Sequence, residues 1–156
     1  MRIKKPVFNA QDLGVNPCVT NLQIIVSKIE FKGQYKRVDD ILLPVVKEVE
    51  KTPYSKLYCT SGRRLIINQL SPRTKELLLW LMFEIESSED FIWINKQRYM
   101  QENNISSINT YKEAVKELVR YAFLSPTIIT DVYWINPSYF FKGDRIKKYP
   151  NNIIQE

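Results

Sequence analysis

Across residues 71–141 the spacing of apolar side chains switches between helical and strand periods in one fixed order. That order limits the available folds more than any other feature of the chain. Ser71 can accept a backbone N–H as a helix N-cap, and Pro72 then takes the first helical position, where its missing N–H costs nothing. Leu77, Leu78, Leu81, Met82 and Ile85 follow at helical spacing. Trp80 and Phe83 widen that apolar face, which predicts burial on more than one side. Ser87-Ser88-Glu89-Asp90 end the helix, and Phe91-Ile92-Trp93-Ile94 read as a short strand. Asn95 can cap a second helix running to about Asn103, with Tyr99 and Met100 inward. The turn Asn103-Asn104-Ile105-Ser106 follows, and asparagine tolerates the left-handed backbone that a tight corner needs. Ser106 or Ser107 then caps a third helix, Ile108 to Tyr121, whose inward stripe is Tyr111, Ala114, Val115 and Leu118, joined by Ala122. Residues 125–130 and 132–135 make two strands that turn tightly at Thr130-Asp131.

This order is the layout of a winged helix-turn-helix. The predicted fold class is therefore α+β: three helices plus a β-wing, preceded by an N-terminal antiparallel β-extension. The face of the third helix opposite its apolar stripe carries Asn109, Lys112, Glu113 and Lys116. In this fold the N-terminal half of the third helix enters the major groove. The predicted contact set on it is Ser107, Asn109, Thr110, Lys112 and Lys116. Asparagine can pair bidentately with adenine, and lysine reaches guanine or phosphate. Lys96 with Arg98 forms a second basic cluster, and Lys142, Arg145, Lys147 and Lys148 form a basic tail suited to phosphate. The alternative is an ordinary solvated helix face, with Glu113 and Glu117 paired to neighbouring lysines.

Upstream, residues 1–21 show no sustained period and read as an irregular arm with a small basic tip at Arg2, Lys4 and Lys5. Residues 22–70 read as a β-rich extension: a strand from Leu22 to Phe31, a turn at Lys32-Gly33-Gln34, and a run from Tyr35 to Val49. A third run spans Tyr54 to Thr60, and after a turn at Ser61-Gly62 the segment Arg63 to Leu70 closes the region. Pro44 places the second run at a sheet edge or divides it at a bulge. So small a meander buries little on its own, so it either pairs with a second copy of the chain or packs on its own helical domain. The winged domain is expected over 71–149, with residues 150–156 as a C-terminal tail.

From Asn95 to Leu124 the chain resembles the winged helix-turn-helix of bacterial and phage regulators. Thr110-Tyr111-Lys112-Glu113-Ala114-Val115-Lys116-Glu117-Leu118 carries the recognition-helix pattern. After the wing, Asn136-Pro137, the aromatics Tyr139-Phe140-Phe141 and Lys142-Gly143-Asp144-Arg145 resemble the RepL family of plasmid replication initiators, relatives of which occur in phage genomes. The resemblance covers residues 71–145 and implies sequence-specific binding of double-stranded DNA in replication initiation or control, with host or phage replication or transcription proteins as partners. A transcriptional regulator would use the same chemistry. Ala122 departs from the pattern, since such domains usually have glycine before the wing.

Charge gives that reading mixed support. The chain carries a formal +6, but residues 71–156 hold 11 Lys and Arg against 11 Asp and Glu. The whole surplus lies in residues 1–70, with 12 against 6. A winged domain of neutral balance would bind DNA weakly alone, so a homodimer or help from the N-terminal basic residues is expected. The same neutrality fits a protein-interaction module on the winged fold. Catalysis ranks last. There is no histidine, and Asp39-Asp40 and Glu48/Glu50 lack further ligands at metal-binding spacing. Cys18 and Cys59 read as reduced, partly buried thiols, so no metal or cofactor is expected. Leu77 to Phe83 is too short to span a bilayer, and Met1 to Pro6 is not followed by a signal-peptide core, so a cytoplasmic protein without membrane association is expected.

Overall fold

A computed structural model of the protein describes residues 3–50 and 61–155. In chain order its strands and helices are β1 (Ile24–Val38), β2 (Ile41–Glu50), α1 (Ser61–Gln69), α2 (Pro72–Glu84), β3 (Phe91–Trp93) and α3 (Lys96–Glu102). There follow α4 (Ile108–Arg120), β4 (Leu124–Pro126), β5 (Val132–Ile135), α5 (Arg145–Lys148) and β6 (Ile153–Gln155). Short 3-10 turns span Ala10–Leu13, Pro17–Asn21 and Pro150–Asn152. The fold is mixed α+β. Contacts divide it into a first unit, Met1–Leu22 with Ser55–Gly143, and a second, Gln23–Tyr54 with Asp144–Glu156. No helix among the described residues is long and apolar enough to cross a membrane.

In the first unit α2 packs on α4. Ser71 caps α2 by accepting the Thr74 N–H, and Thr74, Leu77, Leu78 and Leu81 are its buried face. Tyr111, Ala114, Val115 and Leu118 are the buried face of α4. The expected burial of α2 on several sides does not hold, because Leu79 is 57% exposed and Phe83 80%.

Strands β3, β5 and β4 form an antiparallel sheet in that order, with Phe91 opposite Trp134 and Ser125 opposite Trp134 on the other side. Alternation along β5 splits its side chains between two faces. Val132 and Trp134 pack with Leu13 of the N-terminal stretch, and Phe8, Phe91, Trp93 and Ile129 close round them. Asn16 fixes this stretch further. Its buried amide donates to the Ile135 carbonyl at 2.9 Å and to Asp90 Oδ2 at 3.2 Å, while its own carbonyl accepts the Cys18 N–H. The arm is thus anchored at Phe8, Leu13 and Asn16, and its apolar residues were too widely spaced to show a period.

A left-handed residue shapes the exit from the last long helix. At the end of α4, Ala122 has φ +62°, its N–H reaches the Val119 carbonyl, and Phe123 N–H reaches Leu118. This is the Schellman pattern, in which glycine is usual. The departure at Ala122 therefore leaves the helix end intact and places an L side chain where it is strained. Asn136 secures the same corner: its amide donates to the Ala122 carbonyl at 2.7 Å, and its own N–H donates to Phe123.

Three strand expectations fail. The strand expected over 125–130 ends at Pro126, and residues 127–131 form the loop before β5. Arg63 to Leu70 lies in helix α1 and its exit, not in a strand. The adjacent β-branched Ile66 and Ile67 favoured β structure, but Ile66, Ile67 and Leu70 also share one helical face, and that spacing prevails. In the second unit β1 runs straight through the expected turn at Lys32-Gly33-Gln34. These residues fall in an irregularity between Glu30 and Tyr35, with Gly33 at φ +78°, and the reversal comes at Asp39-Asp40, φ +48° and +62°. Two consecutive positive φ values suit a two-residue hairpin loop, and aspartate tolerates them. Pro44 does lie in an edge strand, since the order is β2-β1-β6. Residues 153–155, expected as part of a tail, pair in parallel with Ile24, Ile25 and Val26. The run from Tyr54 to Thr60 lies outside the described residues.

Ala122 and Asn136 should move stability in opposite directions. Ala122→Gly removes a left-handed penalty of roughly 1–2 kcal/mol and adds about 0.4–1 kcal/mol of unfolded-state entropy, for a net gain of about 0.5–1 kcal/mol. Asn136→Ala leaves a carbonyl of the corner without its donor and should cost about 2 kcal/mol. Urea unfolding of both variants beside the parent checks the signs.

Candidate nucleic-acid interface

The corner between α3 and α4 is built from local backbone chemistry. Asn95 caps α3 by accepting the Arg98 N–H at 3.1 Å. The helix then closes on Asn104 at φ +53°, with Ile105 N–H bonded to Met100 and Asn104 N–H to Gln101. Asn103 adds a side-chain bond to the Tyr99 carbonyl at 2.9 Å. Ile105 is buried, and after two exposed serines α4 begins. Ser107 stands at its N-cap without a side-chain cap bond.

Along α4, Asn109, Lys112, Glu113, Lys116 and Arg120 are exposed at spacings of three and four residues and form one outward stripe. Thr110 is half-buried beside it. Lys116 approaches Glu113 at 3.4 Å, with both side chains about three-quarters exposed (75% and 74%). Such a pair is screened by water and gives way readily to a stronger anion. Arg120 extends the stripe by a turn, and its guanidinium lies 5.3 Å from the Tyr121 ring centre. Arg120 lies outside the contact set predicted from sequence, although it follows Lys116 at the same four-residue interval.

Behind the stripe an aromatic column joins α2, α3 and α4. The Trp80 and Tyr99 rings meet edge-on with centroids 5.2 Å apart, and Tyr99 lies 6.0 Å from Tyr111. The buried hydroxyls of Tyr99 and Tyr111 find no hydrogen-bond partner among the described residues. Burial pushes the Tyr99 phenol up to about 12, with Glu76 adding to the rise. Tyr111 is raised further by burial, with Tyr133, Asp131 and Tyr99 adding to it.

The other expected contact residues are placed differently. Lys96, at the start of α3, is paired with Asp131 at 3.3 Å. Arg98 is held by Glu84 at 2.6 Å and Glu102 at 2.8 Å, with its guanidinium 5.5 Å from the Trp80 ring centre. These carboxylates, Glu102 first, raise its pKa, while Trp80 and then Arg98 lower that of Glu102. Arg98 thus clamps α2 to α3. Lys142, half-buried, accepts the Ser88 N–H on its carbonyl at 2.7 Å. It belongs to the first unit, whereas Arg145, Lys147 and Lys148 belong to the second. Arg145 is only 4% exposed, which withdraws it from solvent, while Lys147 is exposed and Lys148 half-buried.

The post-wing motif has structural roles at nearly every position. Asn136 ties down the α4 corner, and Phe140 and Phe141 are fully buried. Gly143, at φ +123°, lies so close to Ser88 that a Cβ would stand 2.9 Å from its Oγ. Asp144 caps α5 by accepting the Lys147 N–H at 3.1 Å. Division into units also redistributes charge. The first unit's sequence carries 14 Lys and Arg against 10 Asp and Glu, because the N-terminal basic residues and those of α1 join α4 in it. Cys18 is a free, half-buried thiol whose pKa is raised by burial and by Asp90, and Cys59 lies outside the described residues. Comparison with protein-family models, curated proteins and solved structures finds no match to this chain.

The column predicts both a mutant effect and a pH effect. Tyr111→Phe keeps the ring and removes an unpartnered buried hydroxyl, so stability should rise by about 1 kcal/mol. Above pH 10 the unfolded chain releases phenolic protons that folded Tyr99 and Tyr111 retain. The unfolded state then binds fewer protons, so stability falls with rising pH in that window. Denaturant midpoints of parent and variant from pH 8 to 11 read both effects, with a smaller alkaline loss in the variant.

Proposed function

We infer that the first unit is a winged helix-turn-helix that binds double-stranded DNA, with α4 as recognition helix and the β4–β5 hairpin as a short wing. The outward stripe of α4 carries this reading. Asn109, Lys112, Lys116 and Arg120 line one face of a helix whose other face is buried, just after a tight corner. Asn109 supplies a bidentate partner for adenine, and the three cations reach guanine edges or phosphates. Ser107 and Thr110 lie at the groove end of the same helix.

The remaining basic residues divide by their partners. Lys112 and Arg120 bind directly, and Lys116 joins them by exchanging Glu113 for phosphate. Lys4 and Lys5 are exposed and anchor the flanking backbone. Arg98 and Lys96 act on the scaffold, through Glu84, Glu102 and Asp131. The hairpin loop, 127–131, has no basic residue, and Thr127 Oγ braces it against the Val132 carbonyl at 2.8 Å. This wing therefore contributes shape and few phosphate contacts. A role in replication initiation or control of a plasmid or phage rests on the resemblance of the post-wing segment. A transcriptional regulator would use the same residues, and a replication assay on an origin-bearing plasmid separates the two.

Duplexes selected from a random pool provide the test. Log affinity for the selected site should fall linearly with log salt, with a slope of roughly 0.9 per phosphate neutralised. Lys112→Glu with Lys116→Glu should abolish specific binding while the far-ultraviolet circular dichroism stays that of the parent. Arg98→Ala should lower stability and leave the salt slope unchanged. Parent-like binding by the double variant would refute the groove assignment.

A further inference from the structure

The second unit contains an exposed ribbon whose composition calls for a partner. Strands β1 and β2 pair from Val26 to Glu30 and from Tyr35 to Val38, with an irregularity between, but β6 supports only Ile24 to Val26. Beyond Val26 the ribbon is two-stranded among the described residues. Two strands alone are marginal in water and need a further strand or an apolar surface against one face. The register defines the faces: Arg37 lies opposite Leu42, Tyr35 opposite Pro44 and Glu30 opposite Val46. Residues 42, 44 and 46 alternate onto one side of β2, so these six side chains share a face. Leu42 is 66% exposed, Tyr35 62% and Val46 48%, and Pro44 is exposed too.

We propose that this face is a homodimer interface, on which the ribbons of two copies stack antiparallel about a two-fold axis near Tyr35 and Pro44. Charge selects the occupant. Arg37 and Glu30 flank the apolar cluster on this face, toward the tip and toward the base, and Lys28 lies on the same face one step beyond Glu30. An antiparallel two-fold stack sets Arg37 of one copy against Glu30 of the other, twice, as isologous symmetry requires. The opposite face also holds exposed Val38, Ile41 and Leu43, but interleaves them with Lys36 and Lys47. Stacking that face on itself would bring the two Lys36 ammonium groups together. A polyanion is disfavoured as well. The tip presents Asp39 and Asp40, and Arg37 already lies 3.9 Å from Asp40.

The exposed apolar residues make up part of the roughly 800 Å² that each partner contributes to a standard interface, with the charged rim supplying more. Pro44 fits face stacking better than edge pairing, since proline blunts a strand edge against backbone pairing. This inference stands apart from the DNA-binding reading, because it concerns other residues and needs no nucleic acid.

The test is the mass of the full chain in solution, without DNA, by sedimentation or light scattering at tens of micromolar. The expected species is twice the 18.5 kDa chain mass. Leu42→Asp should weaken the dimer about tenfold or more, the size of a central contact. Ile41→Asp, on the opposite face, should leave it nearly unchanged. Arg37→Glu should weaken it, and Arg37→Glu with Glu30→Arg should restore it, which keeps the test valid even if Leu42→Asp misfolds. A monomer at these concentrations overturns the proposal, as do equal losses from Leu42→Asp and Ile41→Asp. So does a Leu42→Asp variant that loses DNA affinity at unchanged mass, since that assigns the face to nucleic acid. Charge reversal on α4 should leave the mass unaltered, so failure of this proposal and failure of the DNA-binding reading remain distinguishable.

Discussion

The first unit depends on one buried amide. Asn136 donates to the Ala122 carbonyl at 2.7 Å, its own N–H donates to Phe123, and its side-chain oxygen takes the Ser138 N–H. Its backbone carbonyl also accepts the Tyr139 and Phe140 N–H groups. The end of α4, the start of β4 and the turn after β5 thus meet at one residue. A buried amide satisfied on both ends fixes geometry more tightly than apolar packing, because its bonds are directional and leaving any unmade is costly. The tilt of α4 against the hairpin, and so the placement of its outward stripe, follows from this junction.

A second constraint sets how α2, α3 and α4 sit together, and it has a cost. The Trp80–Tyr99–Tyr111 column packs three helices through large rings, yet it buries two phenolic hydroxyls without partners among the described residues. Phenylalanine would serve packing better. On the exposed side Trp80 offsets some of this, since its indole N–H donates to Glu102 at 2.7 Å and its ring faces the Arg98 guanidinium. Arg98 with Glu84 and Glu102 therefore works as an outer clamp over an inner aromatic contact. A cation that sequence assigns to DNA is engaged in holding helices together.

What was legible in the sequence follows from which signals were local. The caps at Ser71 and Asn95, the left-handed Asn104 and the buried stripe of α4 all rest on chemistry within one or two turns, and the residues display it directly. Arg98 and Arg145 could not be sorted that way. Charge type is visible in sequence, but a carboxylate fourteen residues away, or burial at 4% exposure, is not. Gly33 misled for a related reason, since a left-handed residue serves an irregular strand as well as a turn, and Asp39-Asp40 was the quieter signal of the reversal. The post-wing motif was legible as a pattern, but the structural work of its residues was not. Asn136, Phe140, Phe141, Gly143 and Asp144 serve capping, close approach and the core.

On the reading that α4 enters a groove, the electrostatics favour two copies acting together. Counterion release scales with the number of phosphates neutralised, and a single stripe offers three cations, one of them shared with Glu113. A site of that size binds weakly at physiological salt however well Asn109 reads a base. Joining two stripes through one interface makes the second binding event intramolecular, which multiplies affinity without adding a residue to either helix. It also doubles the length of sequence read. The modest positive surplus of the first unit, 14 against 10, then limits attachment to DNA that lacks the site. Weak single contacts made cooperative by the pairing of two copies would give discrimination that a more basic domain would lose to non-specific binding.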